Sequence, residues 1–347
     1  MTRKPLKILI AAGGSGGHLF PAQQLSLTLQ SDCEILFAGY KLASSPFFES
    51  EKIPFKEIAS APLKKGFLRA LWKGFWQSVS LMRSFCPDVV VGFGSYHTFP
   101  LLLAAALMRK KIILFEANST LGKVNRFFYP FAKRIAFQFP SSQKKGALVP
   151  FLPWVISQRK EVSIGEARQY FGLHPEKRTF LVFGGSQGAS FLNQQVPIAL
   201  DRLPGDYQVI HLTGKGATKV SYRISSCVKE FEKDMSMAYK AADIAICRSG
   251  AGTIAELIQN HIPALLIPFP YAAGDHQRKN GQFLVKQTGG VRLLSQSEAT
   301  VDRLVVEIET LLNGLDSSRL KLEKYVSQQK ERAPFSCLVR SLGEEKK

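Results

Sequence analysis

Two segments of the chain share one pattern, in which a short aliphatic run leads directly into a glycine-rich loop. They read Ile8-Leu-Ile-Ala-Ala-Gly-Gly-Ser-Gly-Gly and Thr179-Phe-Leu-Val-Phe-Gly-Gly-Ser-Gln-Gly, and they align without a gap at an offset of 171 residues. A buried strand followed by a glycine loop is typical of the first turn of a doubly wound α/β domain. The repeat predicts two such domains in tandem, and 347 residues are enough for two hydrophobic cores.

Eight short runs rich in aliphatic and β-branched residues predict buried strands of parallel sheets, separated by helical patterns. They lie at 7–11, 34–38, 88–92, 111–115, 180–183, 207–212, 243–247 and 263–268. Pro150 and Pro153 mark the join, because proline neither continues a helix nor donates to a central strand. We predict an α/β protein of two Rossmann-like domains, at 1–152 and 153–325. A C-terminal helix at 326–347 is expected to return to the first domain.

The cysteines and apolar runs indicate the compartment. The five cysteines are scattered and form no Cys-x-x-Cys pair, which favours a reducing environment over a disulfide framework or a zinc site. The apolar run at 8–12 is too short for a signal peptide, and the longest one, at 99–108, is about half of a membrane span. The sequence predicts a cytoplasmic protein.

The positive charge is concentrated in the first half of the chain. Of a net charge of +19, residues 1–150 hold 20 Lys and Arg against 7 Asp and Glu. Such an excess favours an anionic partner, namely a nucleic acid, a phosphorylated substrate or a membrane surface. The alternative is that proteins of the source organism are basic in general, and that these side chains are only solvated at the surface. No RRM, KH or helix-turn-helix signature is present, so we expect no nucleic-acid partner.

Three glycine-rich loops, at 13–18, 92–97 and 184–189, each follow a predicted strand. Glycine permits positive φ and close approach of a ligand, and a following helix N-terminus favours an anion. The first loop is not a dinucleotide fingerprint, because Leu19 occupies the third glycine position, and the chain has no P-loop motif. One such loop is often only a turn, whereas three at carboxyl ends of strands indicate phosphate binding.

The segment from Cys247 to Leu257 reads as a strand end, a loop of small residues and a helix that begins near Thr253. The helix N-terminus would offer backbone donors to a diphosphate. Glu256, one turn in, is placed to accept both hydroxyls of a ribose; the alternative is an ordinary first-turn acid that stabilises the helix dipole. A polar loop at 274–280 carries Gln277, which is either a sugar-binding residue or a solvated one.

The ordered motifs resemble the MurG family of lipid II-forming N-acetylglucosaminyltransferases. They are Gly-Gly-Ser-Gly-Gly-His-Leu-Phe-Pro-Ala, Gly-Phe-Gly-Ser-Tyr, Glu-Ala-Asn, Gly-Gly-Ser-Gln-Gly-Ala, Cys-Arg-Ser-Gly-Ala-Gly-Thr and Asp-His-Gln, between residues 13 and 280. The resemblance implies the GT-B fold, with two domains facing a central cleft. It also implies inverting transfer without a metal or other cofactor, with UDP-N-acetylglucosamine in the C-terminal domain and lipid I in the N-terminal domain. The implied nucleotide-sugar contacts are Ser15, Gly16, Gly17, Asn118, Ser186, Ala251, Gly252, Thr253, Ile254, Ala255, Glu256 and Gln277.

The acceptor side departs from the family pattern. The second loop is expected to face the lipid diphosphate through Gly92, Gly94, Ser95 and Tyr96. The family usually has Gly-Gly-Tyr-Val-Ser-Gly-Pro there, whereas this chain reads Gly94-Ser-Tyr-His-Thr-Phe-Pro. For the base that deprotonates the acceptor hydroxyl we predict His18, because histidine is the side chain that ordinarily exchanges a proton near neutral pH, with Glu116 as the second candidate.

A helical pattern near residue 70 predicts membrane contact. Leu68, Trp72, Phe75, Trp76 and Val79 share one face, and cations at 64, 65, 69 and 73 flank it. Aromatic and basic residues together favour the surface of an anionic bilayer, whereas the alternative is a helix that packs this face into the core. We expect a peripheral protein on the cytoplasmic face of the bacterial inner membrane.

Two rival functions remain open at this point. Another GT-B enzyme, such as a glycolipid glucosyltransferase or a UDP-N-acetylglucosamine 2-epimerase, would keep the glutamate of the donor site but not the His-Leu-Phe-Pro-Ala continuation. A basic RNA-binding protein would use the charge of the first half.

Overall fold

The computed structural model describes residues 4–60, 67–153, 162–185, 188–217 and 219–345. The chain divides into two compact units. One comprises Met1–Trp154 and Lys330–Lys347, and the other comprises Val155–Gln329. The predicted joins after residues 152 and 325 lie within a few residues of these divisions.

Unit one contains a seven-stranded parallel sheet with the order β3-β2-β1-β4-β5-β6-β7. Its strands are β1 (Leu6–Ala11), β2 (Cys33–Gly39), β3 (Phe55–Glu57), β4 (Val89–Gly92), β5 (Lys111–Glu116), β6 (Arg134–Phe137) and β7 (Gly146–Leu148). Its first helices are α1 (Gly16–Leu29), α2 (Phe67–Phe85), α3 (Phe99–Leu107) and α4 (Lys123–Phe128).

Unit two contains a six-stranded parallel sheet with the order β10-β9-β8-β11-β12-β13. Its strands are β8 (Arg178–Phe183), β9 (Tyr207–Leu212), β10 (Ser225–Lys229), β11 (Ile244–Cys247), β12 (Ala264–Leu266) and β13 (Val291–Leu293). Its helices are α5 (Ile164–Tyr170), α6 (Ser190–Leu200), α7 (Met235–Ala241), α8 (Ala251–Gln259), α9 (His276–Thr288), α10 (Val301–Asn313) and α11 (Leu315–Gln329).

The central strands are buried on both faces, as their unbroken aliphatic runs predict. In unit one Leu9 of β1 lies beside Val90 of β4, and both are fully buried in a core that the helices cover. In unit two Val182 of β8 pairs with Ile246 of β11 in the same manner. All eight predicted strands are present, and the predicted class of two doubly wound α/β domains is confirmed. Because every pairing is parallel, the loops after the strands of a sheet gather at one edge.

The chain returns to unit one through a last helix, α12 (Phe335–Glu344). The helical pattern is broken between Gln329 and Phe335, where Pro334 is the N-cap of α12. Phe335 packs on Phe115 with ring centroids 5.3 Å apart, and Arg340 makes a two-pronged ion pair with Asp32. The Arg340 guanidinium holds the pKa of the Asp32 carboxyl below its usual range. These contacts fix α12 to the first sheet.

Candidate active site

The first glycine loop leads directly into a helix. Helix α1 begins at Gly16, inside the glycine-rich loop predicted at 13–18, and a Cβ on Gly16 would lie 2.6 Å from the ring of Phe20. Its N-cap, Ser15, makes no capping hydrogen bond through its side chain, and the first turn holds no acidic residue. Gly17 is exposed. This turn can therefore present backbone N–H groups and a partial positive charge to an anion.

His18 is oriented by a backbone carbonyl. Its Nδ1 lies 2.8 Å from the carbonyl oxygen of Phe93, in the second glycine loop. A carbonyl can only accept, so Nδ1 carries the proton and Nε2 holds the lone pair in the neutral ring. The ring is half-buried. This tautomer is the one that a general base at Nε2 requires.

The second glycine loop packs against the first. Gly94 and Ser95 both have φ of 69°, a region that a serine rarely adopts. A Cβ on Gly14 would lie 3.3 Å from Ser95 Oγ and 3.1 Å from Cδ2 of His97. Tyr96 is exposed beside His97. The two loops thus form one surface at the carboxyl edge of the sheet.

Gly92, predicted in the acceptor loop, is a packing residue. It is the last residue of β4 and is buried, and a Cβ there would lie 2.8 Å from a methyl group of Leu102. The glycine lets α3 approach the sheet. Of the four residues predicted in the acceptor loop, Ser95 is half-buried and Tyr96 is exposed, so their side chains can reach a ligand.

Glu116 is buried and holds the loop that follows β5. Its Oε1 accepts from the backbone N–H of Asn118 at 3.1 Å, and its Oε2 accepts from Gly122 N at 2.8 Å and from Asn125 Nδ2 at 2.9 Å. Each oxygen is engaged within the loop, which favours a positioning role for Glu116 and leaves His18 as the better candidate base. Asn125, nine residues after Glu116, was not predicted, because nothing in its spacing marks it.

In unit two, helix α8 has an N-terminus without a side-chain cap. It begins at Ala251, two residues before the predicted start, with Gly250 as its N-cap. Gly252 is exposed, and a Cβ there would meet no atom of the described part of the chain within 4 Å. Ile254 and Ala255 are fully buried, so they can serve a ligand only through their backbone. The open helix end fits a diphosphate.

Glu256 is held by a buried tyrosine. The hydroxyl of Tyr239 donates to Glu256 Oε2 at 2.5 Å. Burial, assisted by the neighbouring Glu256, raises the pKa of Tyr239 well above its usual value, so the phenol stays protonated and continues to donate. Glu256 is half-buried on the second turn of α8. A sequence motif marks Glu256 as a candidate site residue but does not mark Tyr239, because only the packing of α7 brings the two side chains together.

Gln277 lies in the first turn of α9 and not in a loop, which corrects the sequence-based expectation. Its Oε1 accepts from the backbone N–H of Phe269 at 2.9 Å, so its NH₂ group is the part that can donate to a ligand. Ser249 Oγ donates to the carbonyl oxygen of Gln277 at 2.8 Å. Buried Arg248 donates to the carbonyl oxygens of Ile267 and Pro268, both at 3.0 Å. These bonds connect the loops after β11 and β12 to α9.

The third glycine loop is tightly packed at Gly188 but not at Gly185. Gly188 has φ of 70°, and a Cβ there would lie 2.3 Å from the carbonyl oxygen of Thr213. Gly185 has φ of 87°, and a Cβ there would have no atom of the described residues within 4 Å. Ser186, a predicted nucleotide-sugar contact, lies outside the described residues.

The predicted membrane face of α2 separates into two stripes. Leu68, Trp72 and Trp76, spaced four apart, are 77%, 66% and 49% exposed. Phe75 instead is half-buried against the core and Val79 is buried in it, so these two residues lie outside the exposed stripe. Arg69 and Lys73 are exposed, whereas residues 64 and 65 lie outside the described residues.

None of the helices in the described ranges could span a membrane. The same residues include no cluster of three or more His, Cys, Asp or Glu side chains that could hold a metal ion.

Family models match both units. Residues 8–137 match the N-terminal domain of glycosyltransferase family 28, and residues 179–333 match its C-terminal domain. A protein of Protochlamydia amoebophila (strain UWE25) is 37% identical over 345 residues, covering 92% of this chain and 91% of the relative. One of Aquifex aeolicus (strain VF5) is 31% identical over 346 residues, covering 96% and 99%. Both are named UDP-N-acetylglucosamine--N-acetylmuramyl-(pentapeptide) pyrophosphoryl-undecaprenol N-acetylglucosamine transferase.

Solved structures give the same fold. The crystal structure of Acinetobacter baumannii MurG matches with a TM-score of 0.73 and 26% identity, covering 99% of this chain and 100% of that chain. The spinosyn forosaminyltransferase SpnP matches with a TM-score of 0.72 at 12% identity, covering 98% of each chain, which supports the fold alone. The predicted GT-B class is confirmed.

Proposed function

The chain belongs to glycosyltransferase family 28 and, within it, to the MurG family, and from this premise we propose that it makes lipid II. It would transfer N-acetylglucosamine from UDP-N-acetylglucosamine to the 4-hydroxyl of the N-acetylmuramyl-pentapeptide of lipid I. The observation that carries this proposal is the kinship with transferases of that name along nearly the whole chain.

We place the donor in unit two. The diphosphate of UDP lies at the N-terminus of α8, where the exposed Gly252 and the absence of a side-chain cap leave backbone N–H groups for it. Glu256 accepts the ribose hydroxyls, and the Tyr239 bond limits its rotation. Gln277 donates from its NH₂ group to a sugar hydroxyl. Preorganised backbone donors of this kind contribute about 3 kcal/mol each to stabilising charge on a leaving group.

We place the acceptor in unit one and His18 at the reacting hydroxyl. The oxygen of the 4-hydroxyl attacks the anomeric carbon while the bond from that carbon to the diphosphate oxygen breaks, so the configuration inverts. His18 Nε2 takes the hydroxyl proton, and the electron pair of the broken bond leaves with UDP. The Phe93 carbonyl stabilises the resulting imidazolium through Nδ1.

We also propose that α2 docks on an anionic membrane at the cytoplasmic face, where lipid I would be presented. The support is local: three exposed apolar side chains lie on one line of α2, and Arg69 and Lys73 flank them. Tryptophan and cations together favour the headgroup region of a bilayer.

The deciding experiment incubates the purified protein with UDP-N-acetylglucosamine and a lipid I analogue and detects the added N-acetylhexosamine by mass. Calorimetry with UDP tests the donor site in parallel: Glu256→Ala should weaken binding about tenfold or more, since it removes two charge-assisted hydrogen bonds. Gln259→Ala, on the same helix, should bind as the wild type does. Absence of transfer would refute the function, and equal UDP binding by Glu256→Ala would refute the ribose contact.

A further inference from the structure

His97 is a buried imidazole with an unpaired ring nitrogen at the surface formed by the two glycine loops. It is 7% exposed, and its Nδ1 is buried with no hydrogen-bond partner within the described residues. The ring stacks on Tyr40 with centroids 5.0 Å apart and planes within 9°. A buried ring nitrogen that is held firmly but left unpaired calls for an explanation, because an unmade hydrogen bond is costly.

The surroundings decide which nitrogen carries the proton. Burial, with a smaller contribution from His18, lowers the pKa of His97 to about 4, so the ring is neutral at physiological pH. Nδ1 is sealed from solvent and has no acceptor, so a proton there would be buried unpaired. The favoured tautomer therefore has its N–H at Nε2.

Nε2 lies beside the exposed part of the first loop. It is 3.7 Å from the place that a Cβ on Gly14 would take, and Ser95 Oγ is 3.3 Å from the same place. Gly14 is exposed. Two side chains that can donate thus lie beside Gly14, two residues before the first residue of α1, whose N-terminal turn holds no acid and favours an anion nearby.

We propose that His97 binds the acceptor, donating a hydrogen bond from Nε2 to a phosphate oxygen of the lipid diphosphate beside Ser95 and Gly14. The inference rests on the proposed function and adds a residue to it. The usual family pattern, Gly-Gly-Tyr-Val-Ser-Gly-Pro, has valine at the place where this chain has His97. The stack on Tyr40 holds the donor in place before the ligand arrives, which reduces the entropy lost on binding.

The test distinguishes the Nε2–H donor of His97 from its aromatic ring as the group that binds the acceptor. His97→Phe keeps an aromatic ring to stack on Tyr40 but has no N–H. His97→Gln places an NH₂ group near the position of Nε2, and His97→Asn places one near the position of Nδ1. Steady-state kinetics should show that His97→Phe and His97→Asn raise the KM for a lipid I analogue about tenfold, equivalent to about 1.4 kcal/mol. The KM for UDP-N-acetylglucosamine and kcat should stay within about twofold, and His97→Gln should recover most of the acceptor KM.

A binding measurement distinguishes the phosphate from the rest of the acceptor. Farnesyl diphosphate should bind the wild type, as followed by calorimetry, and bind His97→Phe about tenfold more weakly, whereas farnesol should not distinguish the two. An unchanged acceptor KM in His97→Phe with an unchanged unfolding midpoint would overturn the proposal, and so would equal rescue by Asn and Gln. If the wild type transfers nothing to lipid I, the proposed function fails, while the farnesyl diphosphate comparison still tests His97.

Discussion

At the scale of single residues, the sequence identifies side chains whose neighbours in the chain mark them, and misses those that act across the fold. His18 follows a glycine loop and Glu256 follows a small-residue turn, so both are visible as motifs. Tyr239 and Asn125, which hold Glu256 and Glu116, have no such signal. The bond from His18 Nδ1 to the Phe93 carbonyl spans 75 positions, and its partner is a backbone atom that any residue supplies.

His18→Gln should lower kcat for the lipid I analogue about 100-fold or more, because glutamine cannot accept the proton that the hydroxyl must lose. UDP binds in the other unit in our proposal, so its affinity should remain within about twofold by calorimetry. The control is His174→Gln, an exposed histidine between α5 and β8 of unit two, which should leave kcat unchanged. A fully active His18→Gln protein would remove His18 as the base.

At the scale of elements, strands made of continuous aliphatic runs are predictable, and short ones that rely on a neighbour are not. Strands β3 and β10 lie at the ends of their sheets, carry polar residues and are exposed in part, so they lack the pattern of a buried strand. Two helices also include glycines that the sequence predicts to lie in loops, because glycine has a low helix propensity. At Gly16 the absence of a Cβ makes room for Phe20, and at Gly252 a Cβ would meet no described atom within 4 Å, so both helices can include their glycine.

Helix α8 offers an element-scale test in which stability and binding move in opposite directions. Gly252→Asp places an acid in the first turn, where nothing obstructs it, and should raise the free energy of unfolding by about 0.5–1 kcal/mol through the helix dipole and propensity. The same carboxylate should repel the diphosphate and weaken UDP binding about tenfold or more. Gly252→Ala should stabilise similarly and keep UDP affinity within about threefold. Undiminished binding by Gly252→Asp would show that the diphosphate lies elsewhere.

At the scale of the whole molecule, buried neutral histidines make stability depend on acidity. His211 is fully buried between the Tyr222 hydroxyl and Asn193 Oδ1, and burial lowers its pKa to about 4. The unfolded imidazole has an ordinary pKa of about 6.5, so unfolding takes up a proton below that pH. This stabilisation is complete above about pH 6.5 and falls toward pH 4 by up to about 1.4 kcal/mol per pH unit.

Urea unfolding between pH 7.5 and 4.5 measures this effect. His211→Gln retains an acceptor for Tyr222 and a donor for Asn193 but cannot titrate. Its free energy of unfolding should therefore depend on pH less steeply than that of the wild type, by an amount equivalent to the uptake of about one proton. Equal slopes for the two proteins would show that His211 is not the group responsible.

The charge of the whole molecule bears on membrane binding. With a net charge of +19, most of it in the first half, attraction to an anionic bilayer acts over about a Debye length, and the tryptophans of α2 act only on contact. The contributions of the net charge and of the tryptophans to membrane affinity can therefore be measured separately. The wild type should sediment with phosphatidylglycerol vesicles and lose affinity as salt rises, whereas Trp72→Ser with Trp76→Ser should bind more weakly at every salt concentration but with the same salt dependence. Leu320→Ser, an exposed apolar residue on α11 of unit two, is the matched control and should leave binding unchanged. If the tryptophan variant binds as tightly as the wild type, α2 is not the docking element, and charge alone would have to account for any attachment.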